Sequence, residues 1–181
     1  SPSKIEKQLD LLVKFPDHIA ICPTIFFLQG ENPIERSADV DQAPFLYSTD
    51  KPSDFLLNLY GENGDANMIT IHSWLVPINL VKLAGPWSET LSVDDDGEYF
   101  CRVVLQSKGI KLVDSVFCYY RKYLNGSNLS SRNDLEGMES IFMALSLKEK
   151  HLLKDAPKEK VNKLFAKLYY MLAVECYPRH Q

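Results

Sequence analysis

Three consecutive acids, Asp94, Asp95 and Asp96, stand directly before an apolar periodic segment whose spacing predicts a helix. The positive end of a helix dipole favours the ionised form of acids at that point. An ionised carboxylate fixed at a helix start can act as a general base, because it can take a proton from a substrate hydroxyl. Acids in the first turn of a helix are also common capping devices, so the cluster alone leaves both roles open.

Three ordered segments across residues 68–131 carry motifs of a known enzyme family. Residues 95–102, DDGEYFCR, contain an acidic pair that an arginine, Arg102, follows six residues later. Residues 85–91, GPWSETL, lead into this pair, and residues 119–121, YYR, and 125–131, NGSNLSS, come after it. In this order they resemble the Gly-x-(Trp/Phe)-x-Glu-x-Leu segment, the acidic pair with its arginine, and the Tyr-Arg and Gly-Ser-x-Ser ending of family-two glycosyltransferases.

The resemblance implies an α/β fold, namely the C-terminal acceptor-side half of a GT-A fold with a mixed sheet, followed by C-terminal helices. Residues 1–131 would form the acceptor-side part and residues 132–181 a helical extension. Residues 1–9 resemble the segment that directly follows the family's Asp-x-Asp motif. We therefore expect the nucleotide-binding half, with that motif, to be absent from this chain.

The same resemblance implies sugar transfer from a nucleotide-diphosphate donor to an acceptor hydroxyl, with inversion. By its position in the motif, Asp96 would be the general base. Asp95 takes the place of the first acid, which is most often Glu in the family, and would orient the base or contact the acceptor. Arg102 is expected to tie the helix to the sheet, with pairing to one of the acids as the alternative.

Substrate-binding residues are also implied by their places in the family pattern. His72, Ser73 and Trp74 lie where the family lines its acceptor pocket, although for Trp74 a place in the core is the favoured alternative. Arg121 and Lys122 could meet phosphate charge, because a guanidinium binds phosphate through two parallel hydrogen bonds. The histidine that often follows the family's Tyr-Arg pair is missing here, which puts a third metal ligand in doubt.

Cofactors and partners follow from the resemblance alone. The intact enzyme would use Mn²⁺ or Mg²⁺, with its main ligands outside this chain and no metal ligand assigned within it. Its partners would be a nucleotide-sugar donor and a saccharide or lipid-linked acceptor, and the truncated surface could form a homodimer. We expect the isolated chain neither to bind a nucleotide sugar tightly nor to turn one over.

Two other classes of function stay open. One is a stand-alone carbohydrate-binding or scaffold domain without catalysis. The other is a glycosidase, against which the adjacent placement of the two acids argues, because glycosidase carboxylates normally face each other across the scissile bond.

Helices and strands alternate along most of the predicted chain, which favours an α/β layer arrangement. Helices are predicted over residues 3–15, 52–60, 78–84, 94–108, 134–150 and 157–177. Strands are predicted over residues 19–28, 68–76 and 110–121, with a long loop over 29–44. Pro23 predicts an edge position or a bulge in the first strand.

Composition excludes some classes of protein. A net charge of -4 and a pI near 5.6 argue against a nucleic-acid partner, which normally requires a basic stripe. The longest apolar run, residues 19–28, is too short to span a bilayer. Four scattered cysteines lack the C-x-x-C spacing of zinc and redox sites. Sparse cysteines among apolar neighbours predict a cytoplasmic protein. The resemblance implies bacterial polysaccharide biosynthesis, with peripheral attachment to the inner face of the membrane as an alternative location.

Overall fold

The computed structural model of the chain describes residues 3–38, 40–122 and 134–177. Within these residues the fold is mixed α/β, with six α-helices and two small parallel sheets. The Gly-Ser-x-Ser segment at 125–131 lies outside the described residues. No helix in the described ranges has both the length and the apolar character to cross a membrane.

Four short strands form two parallel pairs. They are β1 Ile19–Ile21, β2 Thr24–Leu28, β3 Ile110–Leu112 and β4 Cys118–Lys122. Strand β1 pairs with β3 and β2 pairs with β4. The predicted strands at 19–28 and 110–121 are therefore each two strands. In the first case Pro23 lies at the break, where its ring and missing N–H interrupt a ladder.

The helices agree closely with the predicted pattern, and their bounds are α1 Lys4–Lys14, α2 Pro52–Leu59, α3 Ile78–Ala84, α4 Asp95–Leu105, α5 Leu135–Leu152 and α6 Lys158–Cys176. The loop predicted over 29–44 contains the 3-10 turn Pro33–Glu35 and most of a second, Val40–Phe45.

The strand predicted at residues 68–76 is wrong, because a 3-10 turn, Ile71–Ser73, occupies its middle. Ser73 donates its backbone N–H to the Thr70 carbonyl at 2.9 Å, and the two hydroxyls lie 2.7 Å apart. Side-chain hydroxyls that bond locally compete with a strand ladder. Within residues 68–76, only Leu75 forms a bridge to a strand, antiparallel to Ala20 of β1.

One hydrophobic core joins the β1–β3 sheet to the helices, and a small second cluster of Cys22, Val116 and Cys118 includes the first residue of β4. Helix α4 packs against α2, α3 and α5, and α5 packs against α6. The core contains residues from the first strand to the last helix, among them Ile19, Phe55, Val104, Leu145 and Phe165. The C-terminal helices therefore cover the helical layer that carries the acidic cluster.

Candidate active site

The three acids at the start of α4 have three different partners. Asp94 Oδ2 accepts a hydrogen bond from Lys148 Nζ at 2.5 Å, and Asp95 Oδ2 accepts one from Trp87 Nε1 at 2.8 Å. Asp96 Oδ1 accepts one from its neighbour's backbone N–H, that of Gly97, at 2.9 Å. In the described part of the chain no three His, Cys, Asp or Glu side chains are grouped so as to hold a metal ion.

Asp94 is the residue that separates this cluster from an ordinary helix cap. Its φ of 60° places it in the left-handed region, which non-glycine residues rarely adopt. Its side chain does not cap the helix and instead lies across the first turn toward Lys148. The left-handed backbone conformation of Asp94 therefore positions its carboxylate for the ion pair with Lys148, not for capping the helix.

Gly97 provides the space for that carboxylate. A Cβ atom at this position would lie 1.9 Å from Asp94 Oδ1, far inside van der Waals contact. The same Cβ would lie 3.4 Å from Lys148 Nζ. A side chain here would push Asp94 away from its partner, so the motif's glycine is needed for close approach and not for its φ angle.

Asp94 and Asp96 line a pocket of about 200 Å³ between α2, α4, α5 and α6. Trp74 and Lys148 line it as well. This volume is below the roughly 300 Å³ at which pockets begin to take drug-sized ligands. The space therefore suits a small ligand such as a single sugar ring.

Burial raises the pKa of Asp96 above its ordinary value, and the nearby charges of Asp94 and Asp95 raise it further. The backbone N–H groups of Gly97 and of Asp96 itself act in the opposite direction and lower the pKa. A carboxylate with a raised pKa is a stronger base than a solvated one, provided that it is ionised at the working pH.

Helix α5 holds the acidic cluster in place through two polar side chains. Lys148 is only 7% exposed and lies over the Tyr60 ring, with Nζ 5.0 Å from the centroid. Ser140 Oγ accepts from the backbone N–H groups of Ser92 and Val93 at 2.9 and 3.0 Å and donates to the Val93 carbonyl. The segment before α4 is thus fixed by α5.

Neither Lys148 nor Ser140 was among the residues predicted to form the site. The available signal was their place on the buried face of α5, which also contains Met138, Ala144 and Leu152. A charged residue on such a face needs a partner, because an unpaired buried charge is costly.

The sequence predicted that Arg102 ties α4 to the sheet, and this prediction is wrong. The Arg102 guanidinium makes a bidentate pair with Glu98, at 2.7 and 2.9 Å. It also donates to the carbonyl groups of Ala84, the last residue of α3, and of Pro86, which lies just beyond it. Arg102 therefore ties α4 to the end of α3, and its acidic partner is neither Asp95 nor Asp96.

Trp74 both packs in the core and lines the pocket. It is 8% exposed, donates to the Ile69 carbonyl at 3.2 Å and stacks on Phe100 with ring centroids 4.7 Å apart. Trp87 stacks on Tyr99 at 4.4 Å while its indole binds Asp95. An aromatic group therefore flanks each side of the start of α4.

Ser73 and His72 lie away from this pocket. The Ser73 hydroxyl is buried, 2.9 Å from the Thr24 hydroxyl, and its carbonyl accepts from Gln8 at 2.9 Å. His72 stacks on Tyr120 at 5.8 Å, and burial lowers its pKa. Ser73 thus attaches its turn to β2, and His72 lies against β4.

Arg121 and Lys122 form a basic end of β4. Both are exposed, with Arg121 5.7 Å above the Phe27 ring and Lys122 4.4 Å above the Phe26 ring. They are not part of the wall that contains Asp96. Of the predicted site residues, the pocket contains Asp96 and Trp74. The others lie outside its wall: Asp95 is next to Asp96 on α4, His72 and Ser73 are on the 3-10 turn, and Arg121 and Lys122 are at the end of β4.

Comparisons of the chain with protein-family models, with curated proteins and with solved structures gave no match.

Proposed function

We propose that this chain carries the acceptor-binding and base-bearing half of an inverting family-two glycosyltransferase with a GT-A fold. The observation that carries this proposal is that Asp96 and Trp74 line one small pocket at the start of α4. The helix is the one whose residues resemble the family motif. An indole face suits stacking on a sugar ring, and Asp96 supplies the base within the same space.

The proposed mechanism needs one proton acceptor from this chain. An acceptor sugar packs against Trp74, and its reactive hydroxyl donates a hydrogen bond to the Asp96 carboxylate. As the hydroxyl oxygen bonds to the anomeric carbon of the donor, its proton moves to the Asp96 carboxylate. The bond from the anomeric carbon to the nucleoside diphosphate breaks on the opposite face, so the configuration inverts.

The surrounding residues would position this base. Asp95 is held by Trp87 and would orient the start of α4 rather than accept the proton. Lys148 neutralises Asp94 and so limits the negative charge that Asp96 meets when it ionises. Arg121 and Lys122 would meet the phosphate charge of the donor from the end of β4.

A divalent metal would neutralise the departing diphosphate, but the residues described here do not form a site for it. No step assigned to this chain depends on a bound metal. The donor-binding half that the resemblance implies would supply that site. For the chain by itself we expect calorimetric titration with UDP-sugars and Mn²⁺ to give no tight binding.

Sugar transfer by the complete gene product tests the proposal. Asp96→Asn removes the base while keeping the side chain's size, and kcat should fall by about a hundredfold to ten-thousandfold. Asp95→Asn, which keeps an oxygen for Trp87, is the matched control and should stay within about tenfold of the parent. Acceptor binding should survive in both variants.

Two outcomes would overturn the proposal. The first is an Asp96→Asn variant that transfers sugar at the parent rate. The second is a gene product that binds sugars in the Trp74 pocket but transfers none from any nucleotide donor, which would identify a carbohydrate-binding domain.

A further inference from the structure

The pocket that holds Asp96 has one polar side and one apolar side. Asp94, Asp96 and Lys148 form the polar side. The remaining wall is mostly apolar, and its non-aromatic apolar members are Leu56, Leu59, Ala66, Met68, Ile69, Leu145 and Leu168. A ligand in this space therefore meets available hydrogen-bonding groups at one edge.

The polar groups elsewhere in the wall are already engaged. The Asn67 amide donates to the Asp41 carbonyl at 2.9 Å and accepts from the Met68 backbone N–H at 2.7 Å. The Tyr60 hydroxyl interacts with the Cys101 thiol. The apolar side thus offers little to a ligand hydroxyl that has lost its water.

The charges of the pocket disfavour an anionic ligand. Lys148 is the one cation among the described residues of the wall, and Asp94 compensates it at 2.5 Å. Ionised Asp96 then leaves the pocket with an excess of negative charge. A ligand carboxylate would be repelled and would also lose its hydration without a free cationic partner.

We propose that this pocket binds an uncharged 6-deoxyhexose as acceptor, with a ring hydroxyl at Asp96 and its methyl group against the apolar wall. This assignment rests on the proposed function and names its acceptor class. A hexose would place its sixth hydroxyl against a wall with no free partner, and a hexuronate would place a charge there. A methyl group gains from burial at the same position.

The test uses pairs of methyl glycosides that differ only at carbon six. One series is L-fucose, L-galactose and L-galacturonate, and the other is L-rhamnose and L-mannose. The chain has two tryptophans, so the Trp74 indole N–H signal can be assigned in an NMR spectrum with the variant Trp87→Phe. Titration of this signal reports binding in the pocket directly and needs no donor.

We expect the 6-deoxy member of at least one pair to bind about tenfold to a hundredfold more tightly than its hydroxymethyl counterpart. The uronate should leave the Trp74 signal unchanged. Equal affinity within both pairs, or tightest binding by the uronate, would overturn the acceptor class while leaving sugar binding intact. No response to any sugar by the folded chain would overturn the proposed function as well.

A pair of variants at Met68 tests the apolar wall itself. Met68 lines the pocket and is 58% exposed, so the fold should tolerate its replacement. Met68→Gln offers an amide to the sixth hydroxyl and should reduce the preference within the responding pair to less than about threefold. Met68→Leu keeps the wall apolar and should retain the preference. An unchanged preference in Met68→Gln would count against this placement of the methyl group.

Discussion

Asp96 is the residue at which the proposed function and the stability of the fold oppose each other. Burial raises its pKa, so folding favours the protonated carboxyl. A group whose folded pKa is raised stabilises the protein at pH values below its unfolded pKa, and this contribution is lost as the pH rises through the folded pKa. At neutral pH the ionised Asp96 therefore weakens the fold that places it.

The first prediction concerns the removal of this charge. Asp96→Asn should raise Tm at pH 7 by about 2 °C, since domains of this size shift by about 2–4 °C for each kcal/mol. The gain should shrink as the pH falls toward the ordinary Asp value of 3.8. Differential scanning calorimetry at pH 7 and pH 4.5 measures both effects, with Asp95→Asn as the control. A lower Tm for Asp96→Asn at pH 7 would contradict the role of burial.

The second prediction concerns the ion pair between Asp94 and Lys148. Removing one partner of a buried ion pair lowers the free energy of unfolding by about 3–5 kcal/mol. Because Asp94 is 29% exposed, we expect a smaller loss of about 2 kcal/mol for Lys148→Met. Asp94→Asn should be at least as costly, because it leaves the buried ammonium without a counter-charge. Urea denaturation of both single variants and the double variant gives the coupling energy.

The double variant shows whether the stability losses of the two single variants are coupled. We expect it to be more stable than the sum of the single losses implies, because no unpaired charge remains. Strict additivity would mean that the two side chains contribute independently.

At the scale of elements, local patterns predicted the helices well. The run from Ile78 to Ala84 and the acidic start of α4 lie where apolar spacing and capping residues placed them. Strands were predicted less well, because a short strand depends on a distant partner. The hydroxyls of Thr70 and Ser73 satisfy each other and Thr24, and they convert a β-prone run into a turn.

The site was predictable where its residues are adjacent in sequence. Asp95 and Asp96 belong to one motif, but Lys148 reaches Asp94 from 54 positions away. Nothing local to either residue indicates that contact. His72 and Trp74 are separated by one residue yet face different surroundings, because the turn at Ile71–Ser73 redirects the chain.

The third prediction tests α5 as the element that positions the acids. Ser140→Ala leaves the backbone N–H groups of Ser92 and Val93 without their acceptor and should cost about 1–2 kcal/mol. Glu139→Ala, at an exposed position next to Ser140 on the same helix, should change stability by less than about 0.5 kcal/mol. Urea denaturation compares the two variants. Equal stability of both would mean that α5 does not hold the segment before α4.

At the scale of the whole molecule, the core crosses the boundary between residues 1–131 and residues 132–181. Leu145, Leu152, Val161, Leu164 and Phe165 from the two last helices belong to the same cluster as Ile19 and Phe55. A cluster of this kind makes one cooperative unit, since contacts on either side support the other. The pocket has the same composite origin, because α2, α4, α5 and α6 all contribute to its wall.

The last prediction tests this unity through Phe165, which is fully buried on α6. Phe165→Ala should cost about 3–5 kcal/mol, the usual cost of a large cavity, and Tyr170→Ala, at a side chain 70% exposed, is its control. Far-UV circular dichroism follows the helices, whereas tryptophan fluorescence follows Trp74 and Trp87 in the first part of the chain. Both transitions should move together to lower urea, because the two parts share one core. A fluorescence transition that stayed in place while the helical signal moved would show instead that α5 and α6 form a separate unit.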